Sequence, residues 1–333
     1  MGAQSTAGDV ARAADVLRRG GLVAFPTETV YGLGADATNP DALRRLYAVK
    51  GRPAAHPVIV HVADRAQLRD WAARVPPVAA RLAEACWPGP LTIVVERAAR
   101  VPDEVTGGAS TVGVRVPDQP LARALLRTFG DGIAAPSANR FGRVSPTTAA
   151  AVRGDLGGEV DLVLDGGPCR VGVESTIVDC SRDDPVVLRP GGVTAERLRE
   201  ILGADVAVAR AGERATPAPG TLPSHYAPRA TVELAAREDV ATRAAEHLVV
   251  GRSVGVLCLA PAPRVDGRVA VLDPPHDVDE YAHVLYQRLR DADAYALDVL
   301  LAVPPADEGV GAAVADRLRR AAGAGDAVAE ARA

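Results

Sequence analysis

Lys50 and Arg52 flank Gly51, and Lys50 is the only lysine among 38 basic residues; every other one is arginine. A compact ammonium kept in so arginine-rich a chain points to a place where a point charge must meet a phosphate, which a wide planar fork serves less well. Complementing a helix dipole does not explain the choice, because an arginine would do that equally well. Further reactive or recognising side chains gather at the ends of apolar runs. Thr27, Glu28 and Thr29 follow the run 22–25, and His61 closes the run 57–62. Arg115 lies among the apolar residues of 111–117, and Ser137 and Asn139 follow 133–135. Ser175 opens the run 175–179, and Arg189 leaves the run 186–189 beside Gly191 and Gly192. Strand ends are where open α/β sheets bind ligands.

Strands and helices must hold these groups. The run 22–25 reads as a strand stopped by Pro26, which cannot donate to a ladder. Tyr31-Gly32-Leu33-Gly34 reads as a glycine-rich loop able to approach a ligand. Asn39 as N-cap, Pro40 at the first position and Gly51 past the end predict a helix, with Leu43, Leu46 and Tyr47 on its apolar stripe. Further helices are predicted over 10–19, 67–73, 121–129 and 195–202, and Pro76-Pro77 opens another that ends at Trp87-Pro-Gly-Pro90. Strands are predicted over 91–95, 111–117, 133–135, 160–164, 175–179 and 186–189. Ser145-Pro146-Thr147 reads as a helix start with Ser145 as cap, and a helix N-terminus carrying hydroxyls is a ready phosphate site. From about 203 to 229 the pattern dissolves into Ala, Pro, Gly and Thr, a linker stiffened by prolines. Beyond it, strands at 254–259, 269–272 and 296–301 alternate with helices at 278–290 and 309–322, implying a small, mostly parallel sheet. Tyr281, Tyr286 and Leu289 read as core, and the tail 323–333 as disordered.

PTETVYGLGA followed by KGRPAAHPVIVH resembles the YrdC-like family, and more closely its two-domain L-threonylcarbamoyladenylate synthases. The turn WPGPLT and the linker ending SHYAP resemble the same group, so the likeness spans most of the chain. It implies an α/β fold: a YrdC-like twisted mixed sheet with helices over 1–203, a linker over 204–229 that folds over the nucleotide site as a lid, and a smaller Rossmann-like α/β domain over 230–333. It also implies an activity. L-threonine, bicarbonate and ATP would give threonylcarbamoyl-AMP and pyrophosphate, for threonylcarbamoyladenosine on tRNA. On that pattern Thr27, Tyr31, His61, Arg115, Ala135 and Ser175 hold threonine and its carbamate, with Arg115 on the carboxylate. Lys50 and Arg52 are the catalytic cations and also face the nucleotide, with Thr111, Ser137, Asn139, Ser145, Arg189, His225 and Tyr226. Mg2+ is expected with ATP, and a tRNA threonylcarbamoyl transferase downstream. The family's PGM in the linker is Pro219-Gly220-Thr221 here, which leaves the contact of Thr221 open.

Composition bounds these expectations. The 333 residues suit two domains, and 48% hydrophobic with 24% charged residues is ordinary for globular protein. A net charge of −4 advertises no general affinity for nucleic acid, and leaves direct tRNA binding open. Cys86, Cys169, Cys180 and Cys258 are scattered, indicating neither a zinc knuckle nor a disulfide framework. No apolar run reaches a membrane span and residues 1–21 lack a signal-peptide core, so a cytoplasmic protein is expected. There is no GxxxxGK[ST], and Gly32-Leu-Gly34 lacks the third glycine of a dinucleotide fingerprint. Two rival readings remain. One is a nucleic-acid-binding module using the same concave basic cleft, which needs exposed arginines near Arg52 and Arg143. The other is the YrdC-like part of hydrogenase maturation proteins, whose acylphosphatase and zinc-finger segments the sequence does not show.

Overall fold

The computed structural model describes residues 5–182, 184–209, 216, 218–220 and 225–330, without the side chains of 324–330. The chain divides into two compact units, Met1–Phe141 with Ser145–Thr221, and Gly142–Val144 with Leu222–Ala333. The segment expected as a linker is therefore shared between them. Pro217, Thr221, Leu222, Pro223 and Ser224 lie outside the described residues.

The strands of the first unit are β1 (Val23–Phe25), β2 (Gly32–Asp36), β3 (Ile59–His61), β4 (Leu91–Glu96), β5 (Thr111–Arg115), β6 (Ile133–Ala134), β7 (Leu162–Val163), β8 (Thr176–Asp179), β9 (Val186–Arg189) and β10 (Ala207–Val208). They form one mixed sheet in the order β10-β9-β8-β4-β5-β3-β6-β2-β1-β7. Residue alternation decides what each face does. Val60, Ile93, Val112, Val114 and Val178 point into the main core, against Leu43 and Leu46 of helix Pro40–Lys50, Leu82 of helix Pro77–Cys86 and Leu198 of helix Ala195–Leu202. On the opposite face, Phe25 and Ile133 pack under Leu17 and Leu125 of helices Ala7–Arg18 and Pro120–Phe129. Ile59, Val94, Ile177 and Leu188 form a separate cluster there with Ala218.

Helix Pro40–Lys50 forms as its signals require. Asn39 Oδ1 accepts from the Asp41 and Ala42 amides at 3.0 and 3.2 Å, and Gly51 ends the helix at φ 64°. Two expectations fail in the first unit. Gly32–Gly34 is strand rather than loop: β2 pairs antiparallel with β1, Phe25 opposite Gly32. A Cβ on Gly34 would lie 2.9 Å from the Phe25 ring and 2.8 Å from Ile133, so this glycine admits an aromatic ring rather than a ligand. Nor does a helix start at Ser145. The carbonyls of Pro146 and Thr147 accept from Tyr31 and Cys169 at 2.9 Å each, which keeps the chain extended. The helix is Ala149–Leu156, capped by Thr148, whose hydroxyl accepts from the Ala151 amide at 3.2 Å.

The second unit carries β11 (Thr231–Leu234), β12 (Val254–Leu257), β13 (Ala270–Val271) and β14 (Val299–Ala302), all parallel in the order β11-β14-β12-β13. β11 and helix Val240–Val249 were not anticipated, while Tyr281, Tyr286 and Leu289 of helix Val278–Ala294 are fully buried as expected. Helix Gly311–Glu330 continues into the stretch expected to be disordered, of which 331–333 lie outside the described residues. No helix is long and apolar enough to cross a membrane among the described residues.

Candidate active site

His61 and Arg115 lie side by side in the parallel register of β3 and β5. His61 follows Ile59 by two residues and Arg115 follows Thr111 by four, so strand alternation puts all four on the face opposite the main core. Thr92 on β4 joins them, since its methyl is the nearest neighbour, at 3.2 Å, of a Cβ built on Gly113. Thr92 Oγ1 and Ser175 Oγ are 2.8 Å apart and buried. Thr111, at the other end of β5, stands about 13 Å from Arg115 along the strand. The face thus offers an Arg115–His61 end and a Thr111 end.

At the first end Arg115 is almost completely enclosed. Its Nε donates to Gly89 O at 3.2 Å, Nη1 to Thr29 Oγ1 at 3.0 Å and Nη2 to Glu28 Oε1 at 2.6 Å. Glu28, itself buried, uses Oε2 on the Asp118 amide at 2.9 Å. Three of the five N–H bonds of the guanidinium are fixed, leaving two for a ligand. His61 is buried with Nδ1 lacking a partner among the described residues, and its ring meets Phe25 edge-on at 5.9 Å. Burial first, then the Arg115 charge, lowers its pKa to about 3, so it is a neutral hydrogen-bonding group at physiological pH.

Thr27 and Tyr31 bear on this end through backbone shape. Thr27 Oγ1 donates to Val30 O at 2.6 Å and accepts from the Thr29 and Val30 amides at 3.2 Å each, folding the turn. The Tyr31 hydroxyl donates to Gly167 O at 2.8 Å and accepts from the Gly166 amide at 3.2 Å, so its proton is spent on the 166–167 backbone. Ala135 is held by its amide, which donates to Ile59 O at 2.9 Å.

Lys50 ends its helix with Nζ buried against the turn that follows β6. The amine donates to Ser137 O and, at 2.6 Å, to Asn139 O, while Lys50 O accepts from the Phe141 amide at 2.8 Å. Burial first, and the Arg52 charge second, hold its pKa well below the usual lysine value. The sequence pointed to a phosphate contact. The protein contacts of Nζ are carbonyls that shape the Ser137–Asn139 turn, with one N–H of an ammonium to spare. Arg52 Nη2 donates to Pro57 O at 2.8 Å, and its guanidinium lies 5.7 Å from the Phe141 ring centre. The half-buried Ser137 hydroxyl makes no hydrogen bond among the described residues, whereas Asn139 Nδ2 donates to Arg140 O at 2.7 Å.

Ser145 is buried, and its only proton goes to Glu174 Oε1 at 2.7 Å. It can therefore offer a ligand lone pairs but no proton, which does not suit a phosphate oxygen. Arg189 grips Ser175 O through Nη2 at 2.8 Å and reaches Pro219 O through Nη1 at 3.0 Å. Gly191 allows this: a Cβ there would fall 2.4 Å from the main chain of Glu174–Thr176. His225 and Tyr226 belong to the second unit. The His225 amide donates to Arg320 O at 3.3 Å, and the Tyr226 ring lies 5.3 Å from the Arg317 guanidinium and 5.6 Å from the Tyr286 ring.

Sequence reasoning grouped Glu28 and Thr29 with Thr27 at a strand end but gave them no role, and passed over Thr92 and Glu174. Roles for Glu28 and Thr29 could have been found, because a carboxylate and a hydroxyl at the end of a buried strand require partners. Thr92 and Glu174 carry no such sign. Several arginines around Arg52 are matched by acids: Arg44 by Asp41 and Glu104, Arg45 by Asp161, and Arg140 by Glu159. That pairing removes much of the positive field a nucleic-acid cleft would need. Among the described residues no group of three or more His, Cys, Asp or Glu could hold a metal ion.

Two family models match the chain. One, Sua5/YciO/YrdC, described as telomere recombination, covers residues 15–191. The other, described as the C-terminal domain of threonylcarbamoyl-AMP synthase, covers residues 193–323. The chain is 41% identical over 322 residues to the threonylcarbamoyl-AMP synthase of Bacillus subtilis strain 168, spanning 94% of this chain and 93% of the relative. It is 41% identical over 320 residues to that of Pyrococcus abyssi, spanning 93% of each. The crystal structure of P. abyssi Sua5 complexed with L-threonine superposes with a TM-score of 0.90 at 40% identity, over 97% of this chain and 96% of that one.

Proposed function

The chain belongs to the Sua5/YciO/YrdC family of threonylcarbamoyl-AMP synthases, and from that premise we propose how its own residues make threonylcarbamoyl-AMP. The ammonium group of L-threonine gives up a proton, and the free amine combines with bicarbonate, losing water, to give a carbamate. A carbamate oxygen then attacks the α-phosphorus of ATP, and pyrophosphate leaves. The nucleophile is the substrate's own carboxylate, so the protein's task is positioning and charge neutralisation.

The observation that carries the assignment of roles is the enclosed Arg115 fork beside a neutral His61. Two N–H bonds on one guanidinium suit a carboxylate, and the partnerless Nδ1 of neutral His61 suits a hydrogen bond with a polar group of threonine, its direction set by the tautomer. Ser175 and Thr92 face the same end, and Ala135 and the Thr27 turn supply its walls. Toward the Thr111 end, Lys50, Arg52, Ser137 and Asn139 take the phosphates. Ser145 meets a hydrogen-bond donor of the nucleoside, because Glu174 already takes its proton. Arg189 steadies Ser175 and the linker. Magnesium enters as part of the ATP substrate: both Glu28 oxygens are occupied, Glu174 accepts from Ser145, and no step runs through a protein-bound metal. The product would pass to a tRNA threonylcarbamoyl transferase, in a cytoplasmic setting.

Pyrophosphate release tests the reading. It should require ATP, bicarbonate and L-threonine together. Equal turnover with serine or alanine, or phosphate in place of pyrophosphate, would sink it.

A further inference from the structure

We propose that Glu28 and Thr29 are positioning residues, which set the Arg115 guanidinium so that its two remaining N–H bonds present one prepared face to the threonine carboxylate. The proposal rests on the reading above, in which Arg115 receives that carboxylate.

The hydrogen bonds at this turn have only one consistent direction. Thr27 Oγ1 spends its proton on Val30 O at 2.6 Å. In the 2.8 Å contact between the two hydroxyls, Thr29 must therefore be the donor and Thr27 the acceptor. Having given its proton away, Thr29 can only accept from Arg115 Nη1, at 3.0 Å. The guanidinium thus heads a chain that runs Arg115, Thr29, Thr27, Val30 O, and every member orients the next.

Glu28 fixes the other end. Its two oxygens are split between Arg115 Nη2 at 2.6 Å and the Asp118 amide at 2.9 Å. The pair is almost wholly buried, with side-chain exposures of 4% and 1% for Arg115 and Glu28. Glu28 therefore also balances the Arg115 charge inside the protein. The place awaiting threonine is then near neutral, as befits a ligand whose ammonium and carboxylate cancel. Glutamine cannot copy this, because an amide offers one acceptor where two N–H groups need one each.

Titration calorimetry with L-threonine on the wild type, Glu28→Gln and Thr29→Val separates the possibilities. Losing an acceptor to a charged donor should weaken threonine roughly 10- to 100-fold in Glu28→Gln. Thr29→Val, which keeps shape but removes the hydroxyl, should weaken it roughly tenfold. The KM for ATP should stay within about twofold in both, since only the threonine end is disturbed. If Glu28→Gln does not fold, Thr29→Val still decides. Wild-type threonine affinity in the variants, or equal losses for threonine and ATP, would overturn the positioning role while leaving the reading intact. A wild type that binds no threonine would overturn the reading, and the role with it.

Discussion

Acid should destabilise the first unit through His61 more than through other histidines, and replacing that ring should remove the effect. The unfolded chain takes up a proton on this histidine near pH 6.5, whereas the folded protein resists until about 3. Between those values the unfolded state binds more protons, so stability falls as the pH falls. At 1.36 kcal/mol per unit, the loss is about 2 kcal/mol between pH 7 and pH 5 and about 3 kcal/mol by pH 4. The burial of His61 leaves solvent little scope to screen this. Trp71 and Trp87 are the only two tryptophans, and both lie in the first unit, so their fluorescence follows that unit. In urea, with a slope of about 2 kcal/mol/M, the wild-type midpoint should drop about 1 M further than that of His61→Asn between pH 7 and pH 5. His56 is shifted the same way, but both proteins carry it and it cancels. Midpoints that fall in parallel would show that the His61 ring is not held neutral by the fold.

Three further outcomes follow from the described contacts. Lys50→Ala should cost on the order of 3 kcal/mol in kcat/KM, and Lys50→Arg should recover little, because a planar fork does not fit between the Ser137 and Asn139 carbonyls; near-normal turnover by Lys50→Arg, with folding checked by melting, would return Lys50 to a helix-end role. ATP binding should draw a proton onto Lys50 at alkaline pH, since phosphate supplies the counter-charge that burial denies it; calorimetry in buffers of different ionisation enthalpy would reveal the uptake, and its absence would show an already charged Lys50. If the linker closes as a lid, protease cleavage near Gly220 should slow with ATP plus threonine, and cleavage unaffected by ligands would make it a tether; a chain ending at Gly203 should melt lower than one ending at Gly220, because Ala218 packs with Ile59, Val94, Ile177 and Leu188.

Much of this was legible in the chain. Helix Pro40–Lys50 is announced by local rules, Asn39, Pro40 and Gly51, and local rules survive folding. The strands around His61 and Arg115 could be read because one face alternates apolar residues without interruption. Gly32 and Gly34 misled because a glycine looks the same whether it admits a ligand or the Phe25 ring, and Phe25 comes from another strand. Ser145 misled for a similar reason. Serine before proline suits a helix cap, but the carbonyls that hold 145–147 extended are claimed by Tyr31 and Cys169, far away in sequence. Thr27 and Tyr31 were expected to hold threonine, yet their hydroxyls bond to backbone groups, which no sequence pattern displays.

The solitary lysine has a meaning for the chemistry of the product. Threonylcarbamoyl-AMP is a mixed anhydride, and amines are the natural victims of such acylating agents. The side chain of Lys50 is the only amine of its kind in the chain, the residue is 2% exposed, and its nitrogen is tied to two carbonyls. Apart from six histidines, neutral at pH 7, all the remaining basic side chains are guanidinium groups, which stay protonated and do not compete as nucleophiles. The surface thus carries its positive charge in a form that its own reactive product cannot modify.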